Sequence, residues 1–201
     1  MNENLKRQLG DWWPVLKPIF NSQKFMALRE ALKQEYSSGH VYPSADNVFR
    51  AFELTQFHNL KVVILGQDPY HNGIATGLAF ATNNGRMSPS LRNILKELHD
   101  SYGCDVPADF DTSLEHWAKE GVLLINTSLT VREKQPNSHK KLWDGFTEQV
   151  IKLIIANHKN IVFVGWGKDA ANLLSNCYVK HKEPIMSLFP EECETSHYLL
   201  T

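Results

Sequence analysis

The chain has 201 residues, 42% hydrophobic and 21% charged, with a formal net charge of −1. A chain of that size can bury a sizeable core, and its simplest organisation is one domain over residues 1–201 of ordinary soluble globular character. The near-neutral balance excludes bulk polycationic binding of nucleic acid. A local basic or amide-lined groove stays compatible with it, because steering depends on how charge is distributed.

The N-terminal stretch MNENLKRQLGDWWPVLKPIF has no sustained apolar core ending in a small-residue cleavage site, so no signal peptide is expected. Residues 23–36, QKFMALREALKQEY, place Phe25, Leu28, Leu32 and Tyr36 at helical spacing. Pro43-Ser44 opens a second expected helix, ADNVFRAFELT, with Val48, Phe49 and Phe52 inward. KVVIL (61–65) reads as a buried strand, and LRNILKELHDSYG, after Ser88-Pro89-Ser90, as a helix stopping at Gly103. GVLLIN (121–126) is a second strand and 143–157 a further amphipathic helix. IVFVG (161–165) makes a third strand, KDAANLL a short helix and PIMSL (184–188) a fourth strand. Strands alternating with helices predict an α/β fold with a parallel sheet covered on both faces.

Cys104, Cys177 and Cys193 are odd in number and widely spaced, matching neither a zinc pattern nor a disulfide framework. A reducing, cytoplasmic setting and no metal are therefore expected. No run approaches the length of a membrane span.

In an open parallel sheet, ligands bind outside the carboxyl ends of the strands. Those ends read GQDPYH, NTSLTV, WGKDA and FPEECE. Each residue there has a plain alternative. Asp68-Pro69 could be an Asx-type turn, His71 a loop histidine, Asn126 a turn cap, Phe80 core, and Tyr70 packing with a wet hydroxyl. Order and spacing carry more than any one of them.

Taken together, KVVILGQDPYH, GLAF, SPSLRNI, GVLLINTSLTV, NSH…FT and VGWG resemble the family 1 uracil-DNA glycosylases. The likeness runs from about Trp12 through Gly167 and includes YPSADNVFRAF. It implies a uracil-DNA glycosylase-like, three-layer α/β/α sandwich around a short parallel sheet. The implied reaction is hydrolysis of the N-glycosidic bond of deoxyuridine in DNA, as in base excision repair, with no metal or cofactor. Such enzymes extrude a nucleotide and read its Watson–Crick edge in a pocket.

On that resemblance Asp68 would orient water and face the cationic sugar. Phe80 would stack on the extruded ring, and Asn126 would donate to O4 and accept from N3–H, a pairing cytosine cannot satisfy. Tyr70 would stand against C5 and exclude thymine's methyl group, while Gln67 would offer backbone contact to a pyrimidine carbonyl. His71 would lie behind these groups or bind water. Pro69, Ser88, Pro89 and Ser90 would meet DNA phosphates, contacts that position the strand without reading sequence. Ser138 and His139 would extend that rim or form a polar surface loop.

The chain departs from the family after its fourth strand. There the family carries a His-Pro-Ser-Pro-Leu-Ser loop, whose His hydrogen-bonds uracil O2 and whose Leu fills the vacated space. A gapless placement brings Phe189 to the His and Cys193 to the Leu, within FPEECE. His181 or His197 supplies an imidazole only in another register. Losing one donor to a developing oxyanion typically costs about 10²–10³ in rate, so reduced activity is expected. The smaller wedge and three glutamates predict that single-stranded uracil is preferred over duplex.

Two competing readings remain. One is a non-catalytic homologue that binds uracil or DNA, or serves as a decoy for a proteinaceous glycosylase inhibitor. The other is the same fold with a different nucleobase ligand, against which Asn126 and Tyr70 argue.

Overall fold

A computed structural model describes residues 3–178 and the short strand at 187–188. In chain order the helices are α1 (Glu3–Leu9), α2 (Trp13–Phe20), α3 (Gln23–Ser38), α4 (Arg50–Leu54), α5 (Pro89–Tyr102), α6 (Glu115–Lys119), α7 (Phe146–Asn157) and α8 (Lys168–Tyr178). The strands are β1 (Val41–Tyr42), β2 (Val62–Gly66), β3 (Val122–Asn126), β4 (Val131–Arg132), β5 (Val162–Gly165) and β6 (Ser187–Leu188). The main sheet runs β3-β2-β5-β6 with every neighbouring pair parallel.

Alternation along the strands divides the apolar interior in two, as the two-residue strand period requires. Val63, Leu65, Leu123, Ile125 and Phe163 face a core built with α2, α3, α7 and α8. Ile64, Leu124 and Val164 face the opposite core, built with α5, α6 and the segment Leu78–Ala81. The expected three-layer α/β/α sandwich is therefore the observed one. Trp12, Phe20 and Trp143 fill the larger core, and Trp12 Nε1 satisfies itself on the Thr55 carbonyl at 2.6 Å. Among the described residues no helix is long and apolar enough to cross a membrane.

Several boundaries differ from the sequence expectations. ADNVFRAFELT is a 3₁₀ turn, Ala45–Asn47, followed by α4 rather than one helix. The break falls where Gly77 (φ +93) passes so closely that a Cβ would lie 2.1 Å from the Asn47 carbonyl. The helix expected over 143–157 starts at Phe146, because Trp143 is drawn into the core and donates to Thr130 Oγ1 at 2.7 Å. α1, α2 and α6 were not expected. Pro18 inside α2 disguises its helical pattern. Of the fourth strand only Ser187–Leu188 is described; the rest of PIMSL lies outside the described residues.

Candidate active site

Parallel pairing of β2 with β3 places Gly66 directly beside Asn126 at the carboxyl edge of the sheet. Past the strand ends the pairing continues irregularly. Thr127 N–H donates to the Gly66 carbonyl (2.9 Å), and both Ser128 N–H (3.1 Å) and Thr127 Oγ1 (2.6 Å) donate to that of Gln67. Asn126 is only 7% exposed, and its backbone carbonyl accepts from Thr147 Oγ1 at 3.2 Å.

The segment GLAF is tied to the same strand by the Ala79 N–H, which donates to the Leu124 carbonyl at 3.1 Å. Phe80 then turns with φ +66, a left-handed conformation that is uncommon for an aromatic residue and clusters at functional sites. Its ring stands edge-on to Trp166, centroids 5.1 Å apart. A Cβ on Gly66 would meet Asn126 Oδ1 at 2.3 Å and the tip of the Phe80 ring at 3.2 Å. The amide, the aromatic ring and a bare strand backbone thus converge on one point.

Tyr70 is half-buried beside them, its hydroxyl 2.5 Å from Ser88 Oγ and 3.5 Å from the Phe80 carbonyl. Burial pushes its pKa up, and the Ser88 and Ser90 hydroxyls oppose that shift. Ser88 also caps α5 by accepting from Leu91 N–H at 3.1 Å. The phenol is thereby fixed to the start of a helix.

Asp68 follows β2 by two residues and is gripped by the turn after β4. Its Oδ2 accepts from the Asn137 N–H at 2.7 Å, and its Oδ1 lies 3.3 Å from Gln67 Nε2. The same Gln67 amide donates to Asn137 Oδ1 at 3.0 Å, and Asn137 itself sits at φ +63. Nearby, Lys134 N–H donates to the His71 carbonyl at 2.9 Å. His71 Nδ1 is buried without a partner among the described residues, so the imidazole has one nitrogen to offer.

The structure brings Gln67, Asp68, Tyr70, His71, Phe80 and Asn126 to this one edge. Pro89 and Ser90 lie exposed at the first turn of α5, beside Tyr70. Other expected phosphate contacts need correction. His139 is 0% exposed, bonded at Nδ1 to Thr130 Oγ1 (2.8 Å) and facing Glu35 through Nε2 (3.2 Å), so it belongs to the interior and not to the rim. Ser88 is 5% exposed and committed to the cap and to Tyr70, and Pro69 is buried. Ser138 is half-buried, and its Oγ accepts from Arg132 N–H at 2.9 Å.

Phe189, Cys193, His181 and His197 lie outside the described residues. Among the described residues no group of three or more His, Cys, Asp or Glu is placed to hold a metal ion. Asn137 escaped sequence reasoning, whereas Gly66 was within the GQDPYH stretch. The signal for Asn137 was Pro136-Asn137, a turn pair in which Asn tolerates the left-handed region.

A family model for the uracil DNA glycosylase superfamily matches residues 52–197. The chain is 49% identical over 170 residues to a uracil-DNA glycosylase of Bacillus velezensis, covering 83% of this chain and 74% of that protein. It is 47% identical over 164 residues to one from Bacillus cereus, covering 80% and 72%. Among solved structures, mimivirus uracil-DNA glycosylase superposes with a TM-score of 0.80 at 26% identity, over 93% of this chain and 70% of that one. A single-residue variant of the mimivirus protein, in complex with UGI, gives 0.81 at 25% identity, over 94% and 72%.

Proposed function

The chain belongs to the uracil DNA glycosylase superfamily, and on that basis we propose that it hydrolyses the N-glycosidic bond of deoxyuridine in DNA. The observation that carries this reading is the convergence of Asn126 Oδ1 and the Phe80 ring on Gly66. Such a slot accepts a flat ring face-on to Phe80 and edge-on to an amide, and Asn126 can donate to uracil O4 while accepting from N3–H. The amino group and the unprotonated N3 of cytosine would instead leave both bonds mismatched. Tyr70, held by Ser88, supports exclusion of a 5-methyl group.

In the reaction the C1′–N1 bond breaks and its electron pair leaves with the base, so positive charge develops on the sugar. The Asp68 carboxylate faces that charge and orients the water whose oxygen forms the new bond to C1′. The water's proton is lost to solvent or base, leaving uracil and an abasic site. Preorganised charge of this kind is commonly the largest contribution in such sites. Gln67, His71 and Pro69 complete the pocket floor, Ser88 holds Tyr70, and Pro89 and Ser90 form the phosphate side. Ser90 and Pro89 have the best access.

The replacement sequence FPEECE supports lowered activity and a preference for single strands. It is also the one feature that favours the second reading, a homologue that binds without releasing base. Free thiols at Cys104 and Cys177 support a reducing, cytoplasmic setting. The mimivirus structure with UGI supports a proteinaceous inhibitor as a partner.

The deciding experiment is base release from a uracil-containing single-stranded oligonucleotide, read as alkali-labile strand scission, with Asp68→Asn alongside. Scission is expected from the native chain and lost in the variant. Absence of scission at stoichiometric protein, with uracil-DNA binding retained, would replace the enzyme by the binding protein.

A further inference from the structure

The turn after β4 touches the reaction centre at its apex and a charged cluster at its base. At the base, Glu35 of α3 accepts two hydrogen bonds from Arg132, from Nε and Nη2, both at 2.6 Å. Behind this fork lies the wholly buried His139, between Glu35 Oε2 and Thr130 Oγ1, and Trp143 Nε1 donates to that same Thr130 oxygen at 2.7 Å.

The donors along this chain can be assigned from chemistry. A carboxylate only accepts, so His139 Nε2 carries a proton toward Glu35. Burial drives the ring toward neutrality, which leaves Nδ1 bare, and the Thr130 hydroxyl donates to it. An indole N–H only donates, so Trp143 completes the chain. Arg132, as the first cause, and then His139 hold the Glu35 carboxyl at a pKa of about 2. Each link has one donor and one acceptor, which makes the base of the turn a single connected unit.

The turn itself is short. Gln135 N–H donates to the Arg132 carbonyl (3.1 Å), Ser138 N–H to that of Gln135 (3.2 Å), and Arg132 N–H to Ser138 Oγ (2.9 Å). Between the two residues bonded to Glu35, Arg132 and His139, stands Asn137, whose N–H holds Asp68 Oδ2.

We propose that Glu35 is a positioning residue for Asp68: by gripping Arg132 and His139 it sets the 132–139 turn, and with it the Asn137 N–H on which the catalytic carboxylate rests. The rate consequence rests on the glycosylase reading; the coupling between Glu35 and Asn137 does not. A small displacement of a group aligned for reaction can cost about 10²-fold in rate. The Glu35 side chain bonds Arg132 and His139 and none of the base-reading residues, so its loss acts on turnover and leaves substrate affinity alone.

The test uses the full chain with Glu35→Gln, which keeps side-chain size, and Arg132→Gln, whose parent side chain is 44% exposed and leaves no buried hole. Single-turnover base release is expected to slow about 10–100-fold in both, with KM for a uracil-containing single strand unchanged. The assigned ¹⁵N–¹H resonance of Asn137 is expected to move in both variants. An unmoved Asn137 resonance in folded protein overturns the proposal. So does a KM effect without a kcat effect, or a lowered melting point at native rate. If the native chain releases no base, the glycosylase reading falls instead, and the Asn137 resonance still decides the coupling.

Discussion

Gly66 is where the candidate site has least room. It carries β-region backbone in a strand, so its value lies in having no side chain and not in conformational freedom. A methyl group there would have to displace the Asn126 amide or tilt the Phe80 ring. Gly66→Ala is therefore expected to lower kcat/KM for uracil release by about 10²-fold while the melting point changes little, a split that steady-state kinetics and thermal unfolding measure directly. Asp68 and Asn126 were legible from the string GQDPYH and the end of GVLLIN, because polar residues at strand ends have few structural reasons to be there. His139 was misplaced for the opposite reason. A polar residue in a polar loop gives no hint that α3, a hundred residues away in sequence, will bury it.

Among the elements, α5 does two jobs with one residue. Ser88 ends the loop, caps the helix and holds the Tyr70 hydroxyl. Ser88→Ala removes a cap worth about 0.5–2 kcal/mol and frees the phenol. Thermal unfolding should report the first effect, and a raised thymine-to-uracil ratio in base release should report the second. The turn after β4 carries the acid sensitivity. His139 has a folded pKa below its ordinary 6.5 through burial, so the unfolded chain takes up the proton first. Its contribution is whole above that value and is lost as pH falls below it. Glu35, at about 2 against an ordinary 4.5, contributes fully above 4.5 and loses that contribution as pH falls toward 2. Both act in one direction, so the unfolding midpoint should drop on acidification, and Glu35→Gln should flatten the lower window. A midpoint that rises between pH 7 and 4 would contradict this assignment.

At the scale of the whole molecule, the sheet and its two covering layers were readable from apolar runs and helical spacing. KVVIL, GVLLIN and IVFVG each became a strand of the main sheet, with β2 and β5 inside it and β3 at the end of the described order. The N-terminal helices were not, since Pro18 interrupts the helical pattern of α2, which burial of Leu16, Ile19 and Phe20 and the helix-starting Pro14 support. Net charge of −1 and uncharged residues at the exposed start of α5 bear on binding. Hydroxyls and backbone amides neutralise no phosphate charge, so log K against log salt for a single strand should have a slope shallower than about −2. A slope several times steeper, measured by fluorescence titration across salt, would require a basic contact surface that these residues do not supply.

The pairing of Gly66 with Asn126 is a rung of the sheet, whereas Asp68 hangs from a turn on the far side of β4. On the proposed roles, the amide that reads the base is anchored in a strand pair and the carboxylate that speeds the reaction in a turn. Natural drift or laboratory selection acting on the turn can tune turnover over a wide range without making the protein promiscuous. A change of target base has to come from the rung itself or from the Tyr70–Ser88 contact beside it.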